Sequence, residues 1–232
     1  MGRFCLSLGA VGLLCGVYVA GAPAQAPPSA PVVEQRPVAG ATIVDRVAVR
    51  VEDDVITESE IRELGAFQQL AEGKAKPRAE LIQELVDQWI VRGEAGTAMF
   101  PPPSSADVDH AFAGFLKQFP SREDFEKHCD EVGLTEAAVR RNLEQQLYLS
   151  RFIDYRFRAA AQVDSAQIES YYRDEFTPQL KARGDPVPPL DDVADTIREV
   201  LTQRAIGARA AHWLDDTRAR LRVDVVPQGA GP

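Results

Sequence analysis

Cysteine is scarce in this chain of 232 residues, which has three. Cys5 and Cys15 fall in an apolar N-terminal run, so Cys129 is left alone and no disulfide can form within the rest of the chain. A single cysteine of this kind reads as a buried, inert thiol. Histidine is equally rare. His110, His128 and His212 stand in unrelated segments, which gives a metal-dependent hydrolase little to build on. No excess of positive charge exists: 26 Lys and Arg face 35 Asp and Glu, a formal charge of −9, with the arginines dispersed among acids. That balance argues against nonspecific nucleic-acid binding. A nucleophile–base arrangement is missing too. His128 adjoins Cys129, but neighbours on a helix point about 100° apart. No third member or oxyanion element accompanies them. Strand-like runs are few, with one near each end of the chain.

The N-terminus has its own logic. Arg3 precedes the apolar run Leu6–Ala20, and Ala22-Pro23-Ala24 supplies small residues for cleavage. Residues 1–24 read as a secretory signal peptide cut before Gln25, short for a membrane span. Leu14 before Cys15 argues against lipidation. Residues 25–42 are Pro-rich and read as a flexible leader. Removal of the signal peptide takes only Arg3 among the charges, leaving 208 residues at −10. The expectation is a periplasmic or otherwise secreted chain with no integral span after cleavage.

The stretch from Ile43 to Leu70 organises the rest of the chain. Ile43, Val47, Val49 and Val51 alternate imperfectly and predict a strand with one buried face. Glu52-Asp53-Asp54 predicts a turn and Val55-Ile56 a short second strand. Thr57 stands three residues before Glu60, the spacing of a reciprocal N-terminal cap, and Ile61, Leu64, Phe67 and Leu70 recur at helical spacing. A lone hairpin is marginal and needs a further strand or helix. The other β-like run is Leu221–Val226, so the C-terminus is expected to return and pair with the hairpin. Between them the pattern predicts helices over Arg78–Ala98, Ala106–Phe119, a short stretch from Ser121 to before Gly133, Glu136–Ala161, Ala166–Arg173, and from Asp191 or Asp192 to about Arg220. Ser104 or Ser105, Ser121, Thr135, and Asp164 or Ser165 are the expected caps. Trp89 is expected in the core. Pro178, Gly184, Pro186, Pro188 and Pro189 predict an irregular connection after Lys181 or Ala182. The fold class is therefore mainly α: amphipathic helices with a small antiparallel sheet made from the N-terminal hairpin and a C-terminal strand. It occupies residues 43–226, and 227–232 form a flexible tail.

Particular segments then point to a family. Val44–Ile61 (VDRVAVRVEDDVITESEI) resembles the opening hairpin and helix of SurA-like periplasmic chaperones. Leu81–Ile90 resembles their next helix. Glu123–Phe125 through Gly133-Leu134-Thr135, continuing into Arg140–Phe152, resembles the following portion. Pro189–Val193 with Ile197 and Leu201, then Trp213-Leu214 and Val223–Val225, resemble the family's closing helix and strand. Relatives carry one or two parvulin-type prolyl isomerase domains before that closing helix. Here only Pro178–Pro189 separates Phe176 from it, and twelve residues cannot hold a domain with its own core.

The resemblance implies the chaperone core without the enzyme: a holdase-like protein that cradles unfolded polypeptides, outer-membrane proteins among them, on apolar helical surfaces, with no cofactor. Phe112, Phe115, Phe119, Tyr171 and Tyr172 are the candidate client-binding residues, although a core role is the simpler reading of the aromatic run Ile168–Phe176. A structural or adaptor protein that keeps the fold is the rival reading. A divergent peptidyl-prolyl isomerase is a weaker one, because no active-site cluster is visible.

Overall fold

Three short strands tie the two ends of the chain together. β1 (Val47–Val51) and β2 (Asp54–Thr57) form the expected hairpin, and β3 (Val223–Val225) pairs antiparallel with β1 on its other side, giving the order β2-β1-β3. Val49 faces Val225 and Val51 faces Val223. The structure, a computed structural model, describes residues 45–227. The expectations for the signal peptide at 1–24, the leader at 25–42, Ile43 and Val44, and the tail from 228 lie outside the described residues.

The imperfect alternation of β1 has a physical cause. Its register with β2 shifts between Val47 and Val49, so Ala48 and Val49 are both buried. Such an irregularity bends the strand and re-aims side chains. At the turn Glu52 has φ of 51°, a conformation a non-glycine residue adopts at some cost. Its carboxylate accepts hydrogen bonds from the Arg222 backbone N–H at 2.8 Å and from the Arg222 guanidinium at 3.1 Å, joining the turn to the entry of β3.

The helices begin where local chemistry starts them. Thr57 and Glu60 form the reciprocal cap of α1 (Glu58–Glu72), which ends at Gly73 with φ of 74°. α2 (Arg78–Thr97) starts after Pro77. Ser104 and Asp107 cap α3 (Ser105–Leu116), Ser121 caps α4 (Arg122–Val132), and Thr135 caps α5 (Glu136–Phe157). A single 3-10 turn, Arg158–Ala160, closes α5 earlier than the expected Ala161. Asp164 and Gln167 cap α6 (Ser165–Tyr171). Each cap satisfies backbone N–H groups that a helix start otherwise leaves unpaired.

Sequence expectation and structure part at Arg173. The helix does not end there. A π turn, Tyr172–Phe176, carries the rod into α7 (Thr177–Arg183). Thr177 N–H bonds to the Tyr172 carbonyl five residues back. The wider turn accommodates Pro178, which lacks an N–H and would crowd the carbonyl four residues before it in a regular helix. Gly184, with φ of 76°, ends α7. The irregular connection is thus shorter than expected, and the Tyr172 hydroxyl pins it by donating to the Pro188 carbonyl at 2.7 Å.

α8 (Leu190–Arg218) then runs past α6, α5 and α2 before delivering β3 to the sheet. Beneath it lie three clusters. The first joins the sheet, α1 and α2, with Trp89 and Trp213 packed on it. The second joins the end of α1 to α3, α4 and the start of α5. A smaller third cluster of Val91, Ala95 and Phe152 shares Trp213 and Leu214 with the first.

Candidate functional site

The second cluster decides the fate of two expected client-binding residues. Phe112 is 3% exposed and Phe115 5%. Their rings pack on Phe125 and Phe67, and the Arg140 guanidinium sits 4.1 Å above the Phe112 ring. They hold α3 to α1 and α4 and are not open to a client in this fold. Phe119 is half-buried against Phe115, Phe125 and His128. Tyr171 and Tyr172 are half-buried elsewhere: Tyr171 under the Arg204 guanidinium at 4.8 Å, Tyr172 stacked on Phe176. The five residues do not form one surface.

Cys129 is buried in the same cluster, and burial pushes its thiol up. The His128 ring instead contacts Phe119 and lies with Nδ1 2.6 Å from the Asp124 carbonyl, so the two neighbours diverge. His110 is exposed on α3, and His212 lies 3.0 Å from Asp216 on α8. Among the described residues no three His, Cys, Asp or Glu side chains gather in a metal-binding arrangement. No described helix is long and apolar enough to cross a membrane.

The open surface lies where α8 crosses α5. An open depression of about 760 Å³ is floored by Tyr155 and Ala159 and rimmed by Arg151, Asp154, Arg158 and Gln203. The rim charges are satisfied among themselves. Arg158 pairs with Asp154 and Glu199, and Gln203 donates to both carboxylates. Hydrogen bonds from Arg158, then Gln203, hold the Glu199 carboxyl at about 2. Arg151 forks onto Asp107, and its hydrogen bonds, followed by those of Ser104, hold that carboxyl well below the ordinary carboxylate range. These groups therefore have little left to offer a polar ligand, whereas Tyr155 stands 67% exposed. Its ring joins an aromatic chain with Phe100, Tyr148 and Phe152. Met99, next to Phe100 in sequence, is 88% exposed.

A second open depression, of about 640 Å³, is lined by Phe157 and Ala160 with Ala208, Arg209, His212 and Trp213 of α8. The Phe157 and Trp213 rings are 5.8 Å apart, and the Arg156 guanidinium covers Trp213 at 4.7 Å. Both depressions offer aromatic and methylene surface; paired charges bound the first, while Arg209 at the second has no ion pair among the described residues. Such surface makes non-directional contacts. Sequence reasoning missed Tyr155 and Met99. A lone aromatic among Arg151, Asp154 and Arg158, off the apolar stripe of α5, was the available signal.

Comparison with protein-family models gives no match, and comparison with curated proteins gives none.

Proposed function

We propose that the chain is an exported holdase-like chaperone that binds unfolded or extended polypeptides, outer-membrane proteins among them, and performs no chemistry of its own. The observation that carries this reading is the pair of open, aromatic-lined depressions flanking the α5–α8 contact, the first with its rim charges already paired. Exposed apolar surface bounded by polar groups is what polypeptide-binding sites use. Contacts of this kind adapt to many sequences, so affinity is weak and broad. The resemblance of Val44–Ile61 and of the closing helix and strand to SurA-like chaperones supports the same reading, and the short Gly184–Pro189 link leaves no room for an inserted isomerase domain.

Two assays test it. An unfolded outer-membrane protein is diluted into buffer with and without the chain, and light scattering is followed. A proline-limited refolding reporter is run beside it. Uncatalysed prolyl isomerisation takes about tens to hundreds of seconds, so catalysis would be plain. Suppressed scattering with an unchanged refolding rate is expected. Accelerated refolding defeats the non-catalytic half. Failure to protect or bind several unfolded polypeptides defeats the chaperone half in favour of an adaptor.

A further inference from the structure

A separate cavity of about 220 Å³ opens between the end of β2, α1, α2 and α5. Its floor is apolar: Ile56, Leu64 and Leu85. Its wall carries Gln88 and Arg92 from α2 and Asn142 and Gln145 from α5. These polar groups are only partly used. Gln145 Nε2 donates to Gln88 Oε1 at 2.6 Å, which leaves the Gln88 amide N–H groups and the Gln145 carbonyl free among the described residues. Asn142 Nδ2 donates to Glu63 and to the Ala138 carbonyl, which leaves its own side-chain carbonyl free among the described residues. Arg92 forms no ion pair or side-chain hydrogen bond among the described residues.

The two acids in the cavity are occupied. The Glu60 carboxylate accepts from Thr57 as part of the helix cap, and Glu63 takes Asn142 at 3.0 Å and Arg141 at 3.4 Å. Arg92 is thus the one cationic wall group without an ion pair among the described residues, and Glu60, held by Thr57 alone, is the acidic one. Around the apolar floor stand a free cation, one free amide donor and two free amide acceptors. That set matches the end of a peptide chain, which offers a carboxylate, a backbone N–H and C=O, and one side chain. A guanidinium is well suited to a carboxylate. The volume equals about seven water molecules' share of liquid. It admits one aliphatic side chain with its carboxylate and excludes a long acyl chain.

We infer that this cavity binds the C-terminus of a polypeptide, with the α-carboxylate on Arg92, the terminal peptide unit on Gln88, Asn142 and Gln145, and an aliphatic last side chain on Ile56, Leu64 and Leu85. The inference rests on the polypeptide-binding reading only in taking the ligand to be a polypeptide, and the site is distinct from the α5–α8 depressions.

The test uses the full chain and a dye-labelled hexapeptide, Ser-Gly-Ser-Gly-Ser-Leu, as free acid and as C-terminal amide, with binding read by fluorescence anisotropy. The free acid is expected to bind about tenfold more tightly than the amide, the scale of one charge-assisted hydrogen bond. Arg92→Gln is expected to weaken the acid by about the same factor and leave the amide unchanged, while Arg92→Lys restores part of the gap. Equal binding of acid and amide overturns the inference. So does a gap that survives Arg92→Gln, or absence of binding by either peptide. Acetate, which has the carboxylate without the peptide unit or side chain, competing as well as the hexapeptide overturns the polypeptide assignment. Loss of aggregation suppression with the acid–amide gap intact removes the chaperone reading and leaves this site standing. The reverse result removes this site alone.

Discussion

Burial separates aromatic residues that the sequence could not separate. Phe112 and Tyr155 both lie on amphipathic helices, but Phe112 is enclosed by Phe125 of α4 and Arg140 of α5, whereas Tyr155 faces the open depression beside α8. Phe112→Ala should therefore destabilise the fold by about 3–5 kcal/mol in urea denaturation. Tyr155→Ser should leave stability within about 0.5 kcal/mol. It should weaken binding of an unfolded client by roughly three- to tenfold, for a loss of about 0.5–1.5 kcal/mol. The opposite pattern would restore Phe112 to the binding surface. Asp87 on α2 gives a pH prediction. Burial pushes its carboxyl up to about 6, against the pull of the Arg218 guanidinium, whose Nε lies 2.9 Å away without hydrogen-bond alignment. A raised folded-state value favours the protonated form, so stability from this group is present below about pH 4 and declines as pH rises through about 6. The carboxyls of Asp45, held at about 2 chiefly by Ser59, and of Glu199 work in the other direction, with their contribution lost below about pH 4. Asp87→Asn should remove a decline of about 2 kcal/mol between pH 4 and 6 and leave the acid limb of the stability curve in place, as read from urea midpoints at each pH. An unchanged slope would show that Asp87 titrates at an ordinary value.

At the scale of elements, closure of the sheet by the C-terminus is the contact that spans the chain. β3 places Val223 on the core cluster under the hairpin, the Arg222 carbonyl accepts from Glu52 N–H at 3.0 Å, and Val226 N–H bonds to the Ala48 carbonyl at 2.9 Å. Deleting residues 222–232 should cost about 2 kcal/mol and lower the melting temperature by roughly 4–8 °C, more than a fraying end would. No change would mean that β3 adds nothing to the hairpin. This pairing was legible in the sequence because only two stretches carried strand patterns. Most helix starts were legible too, since a cap such as Thr57 with Glu60, or Ser121 before Asp124, is a contact between near neighbours. The run from α6 to α7 was not. Pro178 reads as a breaker, and the π turn that absorbs it depends on a backbone bond from Thr177 to Tyr172 that no side-chain pattern announces. The proposed binding surface was the least legible part. Helical periodicity shows which face of α3 or α5 is apolar but not which neighbouring helix covers it, so Phe112 and Phe115 looked available although the fold buries them.

At the scale of the whole molecule, α8 is a strap that crosses α5 without sealing it. Ile197, Ile206 and Ala210 are buried along its inner face, while the depressions on either side of the crossing keep Tyr155, Phe157 and Trp213 within reach of solvent. Polar pairs at the crossing, Arg158 with Glu199 and Gln203 with Asp154, fix the helices together at the surface. Exposed pairs of this kind contribute little stability each. Their larger effect here is to neutralise the rim around Tyr155, so that what remains there for a partner is apolar. The central claim is that these surfaces hold unfolded polypeptide without altering it. Light scattering of an unfolded outer-membrane protein diluted into buffer with the full chain tests it most directly. Scattering should fall as the chain is added and recover with Tyr155→Ser at the same concentration. Scattering that follows the no-protein trace at stoichiometric excess of the chain would contradict the account.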